Sequence, residues 1–191
     1  MDWLSYLSPI SLIEKIAAWF SRPKTEVDFE YKLGTGNNEN TFCHLRRISN
    51  YNYNLGWFFR IGITNNGKTV IKNCDVRLEK IEKEQSGLKQ VVSGFSPIEL
   101  HWANSTIDEA RNIFYKTPVY LDIVHTIKGR TDFFIFAKFK HHQPVGVNLW
   151  HGPGIYYLYI KILGDNINPL SKTIRIDFNG NWQNLKMEIK N

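Results

Sequence analysis

From Thr25 onward the chain is a succession of short segments rich in Val, Ile, Tyr, Phe and Trp, cut by Gly, Asn and Pro. β-Branched and aromatic side chains crowd a helix but fit a pleated sheet. TEVDFEYKL (25–33) alternates and predicts a first strand, and GWFFRIGITNNG (56–67) predicts another that ends at the turn signal Asn66-Gly67. In NCDVRLEKIEK, Cys74, Val76 and Leu78 alternate against Asp75, Arg77 and Glu79. SPIELHWAN, PVYLDIVHT, DFFIFAKFK, GIYYLYIKILG, SKTIRIDF and WQNLKMEIK continue the series. TFCHLRRISNY is ambiguous, and GTGNNEN (34–40) is a loop by composition. STIDEARNIF (105–114) fits either a second helix or a loop between strands. Many short strands at fairly even spacing predict an all-β fold, an antiparallel β-sandwich over residues 25–191.

Residues 1–24 have a different character. Ser8 is a suitable N-cap, Pro9 suits the first helical position, and Pro23 ends the helix. At about 100° per residue, Leu12, Ile13, Ile16, Trp19 and Phe20 share one side. Ser11, Glu14, Lys15, Ala18, Ser21 and Arg22 lie opposite. Burying the five large apolar side chains would stabilise by roughly 1.5–3 kcal/mol each before ordering costs, so the face needs cover. Three covers compete: the chain's own sandwich, a groove on a partner protein, or an anionic membrane surface. For the membrane, Lys15 and Arg22 against Glu14 supply little charge.

The length of 191 residues suits one domain with an appendage. Hydrophobic content of 42% gives ample core material and excludes a disordered chain. Lysine and arginine number 24 against 18 acidic residues, a net charge of +6 that weakly favours anionic partners. Cys43 and Cys74 form no C-x-x-C pair, so neither a zinc ribbon nor a redox motif is indicated. Two free thiols fit a reducing compartment, although one disulfide between them is compatible with the sequence. The N-terminus lacks the pattern of a signal peptide, and no run of about 18 apolar residues occurs. The expected location is cytoplasmic, with a peripheral membrane position as the variant that the N-terminal helix allows.

PGIYYLYI resembles the corner of an immunoglobulin-type sandwich, with Gly154, Tyr156 and Leu158 on the pattern G-x-Y-x-C and leucine in place of cysteine. The resemblance implies that Tyr156 bonds back to upstream backbone. FFRIGITNNGKTVIKNCDVRL (58–78) is similar to the strand–N-x-G–strand hairpin of prokaryotic immunoglobulin-like domains. The implied architecture is an immunoglobulin-like sandwich with a short amphipathic N-terminal α-helix, as in small uncharacterised prokaryotic proteins. Both bridging cysteines are missing, so the extracellular setting of the family is not carried over.

No nucleotide fingerprint, P-loop or G-x-S-x-G occurs. The six histidines (His44, His101, His125, His141, His142 and His151) match no helical metal-ligand spacing and read as exposed loop or strand-end residues. Asp122 and Asp165 show no partner, so a paired acid–base site is not supported. No metal, cofactor or small-molecule substrate is expected. Residues 126–161 carry +4 of the net charge. Phe133, Ile135, Ala137 and Phe139 alternate against Phe134, Phe136, Lys138 and Lys140, and Tyr157, Tyr159 and Lys161 repeat the pairing on the next strand. Aromatics beside lysines suit single-stranded nucleic acid or a protein interface. They also suit a covered face whose edge lysines discourage aggregation.

The leading expectation is therefore a non-catalytic accessory module. It would bind a protein partner through Leu12, Ile13, Ile16, Trp19 and Phe20 and through exposed aromatic strand faces. One such role is the small adaptor of a prokaryotic defence complex, for example the partner of a short Argonaute, which no motif here specifies. The rivals are nucleic-acid binding through Lys138, Lys140, Tyr157, Tyr159 and Lys161, and peripheral membrane association.

Overall fold

The computed structural model describes residues 21–30, 33–34, 42–48, 54–103, 105, 109–138 and 148–190. In chain order the strands are β1 (Thr25–Asp28), β2 (Leu33–Gly34), β3 (Cys43–Ile48), β4 (Asn54–Asn65) and β5 (Ile71–Gln85). There follow β6 (Leu88–Val91), β7 (Ile98–Glu99), β8 (His101–Trp102), β9 (Arg111–Ile113) and β10 (Val119–Ile127). The last are β11 (Phe133–Ile135), β12 (Trp150–His151), β13 (Gly154–Leu163), β14 (Leu170–Phe178) and β15 (Lys186–Lys190). The expected N-terminal helix, with Leu12, Ile13, Ile16, Trp19 and Phe20, lies outside the described residues except for its last residues, Ser21 and Arg22.

The strands form two sheets. The first runs β12-β11-β10-β4-β3-β2, with β1 also on β4 and β8 also on β10. The second runs β15-β14-β13-β5-β6, with β7 and β9 also on β5. Pairing is antiparallel except for β2 with β3. Segment 98–102 passes from one sheet to the other, since β7 pairs with β5 and β8 pairs with β10.

Alternation decides which face each strand buries. On β13, Tyr156, Leu158, Ile160 and Ile162 are buried, while Tyr157, Tyr159 and Lys161 are half-exposed. They meet Ile174, Ile176 and Phe178 of β14 and Val76, Leu78 and Ile81 of β5 in one apolar core. From the first sheet, Phe59, Ile61, Ile63, Leu121, Ile123, Phe133 and Ile135 enter the same core. The Phe133 ring reaches across, with its centroid 5.2 Å from that of Tyr156 and 5.6 Å from that of Phe178, both edge-on. Two polar ties join the sheets beside this core. Thr126 Oγ1 donates to the Trp182 carbonyl at 2.6 Å, and Lys138 Nζ lies 2.6 Å from Asp75 Oδ1.

The hairpin expected at Asn66-Gly67 does not form. β4 pairs with β1, β3 and β10, and β5 pairs with β6, β7, β9 and β13, so the two strands lie in different sheets. The type I′ turn that an Asn-Gly hairpin uses needs positive φ at both loop residues, and neither Asn66 nor Gly67 has it. Ser86 and Gly87 do, at 51° and 78°, and they close the two-residue hairpin between β5 and β6. Likewise the 105–114 segment, read as helix or loop, contains strand β9.

Asn65 holds the crossing between the sheets, and its side chain is fully buried. Its amide nitrogen donates to the carbonyls of Thr69 (2.8 Å) and Ile113 (3.1 Å). Its oxygen accepts from the N–H groups of Gly67 (3.0 Å) and Lys24 (3.2 Å). Both donors and both lone pairs of the carboxamide are thus used. Residues 21–24 are laced to the same turn, since Thr69 N donates to Ser21 O at 3.0 Å and Asn66 N to Lys24 O at 2.7 Å. Gly67 permits that approach: a Cβ there would sit 2.0 Å from the Arg22 carbonyl oxygen.

Asn65→Asp would turn two donors into acceptors aimed at carbonyl oxygens. A loss of about 3 kcal/mol of unfolding free energy is expected, measured by urea denaturation at neutral pH. Asn65→Ser, which keeps only part of the network, should fall between Asp and the parent chain.

Candidate interaction surface

The aromatic-basic strand pairs predicted to repeat one another do not share a surface. β11 belongs to the first sheet and β13 to the second. Phe134 and Phe136 alternate with the core residues Phe133 and Ile135, so they face away from the second sheet. Tyr157, Tyr159 and Lys161 face away from the first. The two groups therefore look out from opposite sides of the molecule.

Lys138 is not on a solvent-facing strand face. Its side chain is 2% exposed and sits 2.6 Å from Asp75 and 3.9 Å from Glu99. The reason is local. β11 ends at Ile135, Ala137 bridges to Leu100, and Lys138 N donates to Glu99 O at 2.8 Å. The alternation that would have pointed Lys138 outward stops, and its ammonium is spent between the sheets. Lys140 lies outside the described residues.

On the outer face of the second sheet, Tyr157 Oη donates to Glu84 at 2.8 Å and Tyr159 Oη donates to Glu82. Lys89 Nζ stands 3.7 Å above the Tyr157 ring and Lys80 Nζ 4.1 Å above that of Tyr159. Desolvation and the Glu82 hydrogen bond push the Tyr159 phenol up to about 12, and the bond to Glu84 chiefly raises that of Tyr157. The hydrogen bonds from Lys80 and Tyr159 lower Glu82. Arg175 adds ion pairs at 3.2 Å with Asp177 and Glu188. Lysines and arginines here are interleaved with carboxylates, so the face carries mixed charge and its phenols are already engaged.

The histidines are not uniformly exposed. His125 lies mid-strand on β10, 4% exposed, with ring centroids of Phe58, Phe134 and Phe136 at 5.3, 5.0 and 4.9 Å. Asp122 has a partner, Arg60 Nε at 2.6 Å, in a buried ion pair on the same face. His151 packs between Phe133 and Tyr156. Among the described residues, no three of His, Cys, Asp and Glu gather as a metal site would require. Cys43 and Cys74 are both buried free thiols, and burial chiefly pushes Cys74 up to about 12. Tyr156 Oη donates to the Gly152 carbonyl, four residues upstream, at 3.1 Å.

Two exposed apolar places went unread in the sequence. Leu88 and Val91 on β6 are 67% and 61% exposed. Phe114 and Tyr115 are 58% and 48% exposed, in the turn after β9. That turn abuts Asn65, because Tyr115 bridges to Asn65 and Lys116 N donates to Asn65 O at 2.9 Å. Arg22, Lys24, Lys68 and Lys116 are exposed on the same set of turns, with Lys116 Nζ 5.3 Å from the centre of the Tyr115 ring. This end of the body therefore carries exposed aromatic rings and four exposed cations, with the Glu26 carboxylate taken up by the Asn66 amide, and it is where the chain arriving from Phe20 joins. The missed signals were Ser86-Gly87 as a turn pair and the adjacent Phe114-Tyr115 at the end of the segment read as helix or loop.

A scan against protein-family models, a search of curated proteins and a search of solved structures return no match to this chain. Among the described residues no helix is long and apolar enough to cross a membrane.

Burial, reinforced by the Lys83 charge, pushes the His151 imidazole down to about 4 from an ordinary value near 6.5. Above pH 6.5 the ring is neutral in folded and unfolded chains alike. As pH falls from 6.5 to 4, only the unfolded chain takes up the proton, so stability is lost across that window, by about 3 kcal/mol in all. His151→Phe keeps the ring contacts and removes the proton site. Its unfolding free energy should fall less than the parent's between pH 6.5 and 4 by roughly that amount, measured by urea denaturation at each pH.

Proposed function

We propose that the chain is a non-catalytic interaction module. Its docking surface is the end where residues 21–24 meet the turns 65–70 and 113–117. The observation that supports this most is the exposed pair Phe114 and Tyr115, with Lys116 beside the Tyr115 ring and Arg22, Lys24 and Lys68 exposed on the neighbouring turns. Large aromatics in water with a cationic rim on adjoining turns are what a protein partner with an apolar pocket and an acidic border would meet. The rim steers the encounter, and the rings supply the buried area.

The N-terminal segment belongs to this reading. Leu12, Ile13, Ile16, Trp19 and Phe20 precede an exit fixed at Ser21 by hydrogen bonds to the 65–69 turn. In our reading the helix and the aromatic end act as one surface. A partner would cover Phe114 and Tyr115 while taking the helix face into a groove. We read the body as immunoglobulin-like, a view supported by the Tyr156 to Gly152 bond. The adaptor role in a prokaryotic defence complex is one form this module would take, and it rests on chain type alone.

Nucleic acid is the weaker reading. Lys138 is spent on Asp75, and Tyr157 and Tyr159 are bonded to carboxylates. An anionic membrane is the other use of the same cationic end.

The test is affinity purification of the full chain from its own host, beside the double variant Phe114→Ser/Tyr115→Ser. One protein should co-purify in stoichiometric amount with the parent chain and fall by about tenfold or more with the variant, as loss of central aromatics does. Capture that ignores the double substitution contradicts the assigned surface. Sedimentation with anionic vesicles, or salt-sensitive oligonucleotide binding, in place of protein capture contradicts the assigned partner class.

A further inference from the structure

We propose that β6 is a self-pairing edge, and that two copies of this chain join through it about a two-fold axis at Gln90. Within the described residues β6 ends the second sheet, with β5 on one side and no strand on the other. All four of its residues are exposed, including the two most exposed large apolar side chains of the described structure, Leu88 and Val91. An edge strand with a free row of N–H and C=O groups is a template for another strand.

The hydrogen-bond phase is fixed by the hairpin. Val92 N donates to Ile81 O at 2.9 Å, and the register pairs Lys83 with Gln90 and Gln85 with Leu88. Leu88, Gln90 and Val92 therefore direct their backbone groups at β5. Lys89 and Val91 direct theirs away, at the open edge.

A closed antiparallel pair places the axis perpendicular to the sheet, so opposed residues share a face and the axis passes through one residue position. Centred on Lys89, the pair sets two ammonium groups against each other and runs Val91 into the turn glycine. Centred on Val91, it sets Lys89 against Ser93, past the end of β6. Centred on Gln90, Lys89 exchanges both backbone bonds with Val91 of the other copy, and the symmetric pair repeats this. All outward groups of β6 are then used, Leu88 lies beside Val92 of the other copy, and no like charges meet. The one charge that could guard the edge is drawn off it, because Lys89 Nζ lies over the Tyr157 ring at 3.7 Å. An edge of four residues buries less than the roughly 1,200 Å² of a stable complex, so the pair is weak and concentration-dependent.

Gln90 then faces its own copy in a non-hydrogen-bonded pair, with Cα atoms about 4.5 Å apart, within disulfide reach. The experiment is oxidation of full-length Gln90→Cys, with Lys186→Cys on the opposite edge strand as control. Cys43 and Cys74 are buried and stay out of the reaction. Gln90→Cys should give a disulfide-linked dimer about tenfold faster than the control, because pairing raises the effective thiol concentration. Adding Val91→Pro removes an outward N–H that β5 does not use. It should return cross-linking to the control rate with an unchanged circular dichroism spectrum. Sedimentation equilibrium of the chain without added cysteine should show monomer and dimer, and Val91→Pro monomer alone. Equal rates for Gln90→Cys and the control, or dimers untouched by Val91→Pro, overturn the proposal.

Discussion

The fully used carboxamide of Asn65 is the interaction on which the rest depends. β4 and β5 are long, consecutive in sequence and apolar on their inner faces, and folding them back as a hairpin would put them in one sheet. The chain instead leaves the first sheet at Asn65 and enters the second at Ile71. Such a crossing exposes backbone groups that no ladder satisfies, and a buried group left without a partner is costly. Asn65 answers four of them at once, from three separate stretches of chain. Because Lys24 is one, the same side chain also fixes where the N-terminal segment meets the body.

Once the strands are divided in this way, the two outer faces take different chemistry. The face of the first sheet carries Phe58, Arg60, Asp122 and His125, each no more than 5% exposed. The face of the second carries tyrosines, carboxylates and lysines in mutual contact at half-exposure. Among the described residues the second offers no open apolar platform, and on the first Phe134, Phe136 and Trp150 stay half-buried around His125. Among the described residues, the large apolar side chains most exposed to water lie at the margins: Phe114 and Tyr115 at one end, Leu88 and Val91 along one edge. The proposed docking end and the proposed self-pairing edge are these margins.

The alternation of β13 was readable in the sequence, and from Tyr156 to Leu163 each buried and half-exposed position fell where period two requires. Strand-rich composition likewise pointed to two sheets. Lys138 was misplaced because alternation was extended past the true end of β11, where the chain bends toward Glu99. Asn66-Gly67 was misread because a turn signal specifies a local bend, not the sheet that receives the next strand. Asp122 looked alone because Arg60, its partner, is 62 positions away in the chain. The exposed aromatics were invisible because exposure is a property of the assembled end, and neighbouring sequence does not report it.

Cross-strand Hα–Hα nuclear Overhauser effects test the divided sheets most directly. Cross-strand contacts are expected along the β4–β10 and β5–β13 ladders, and none between the backbones of β4 and β5. A continuous ladder of contacts from Thr64 opposite Thr69 back along both strands would contradict it.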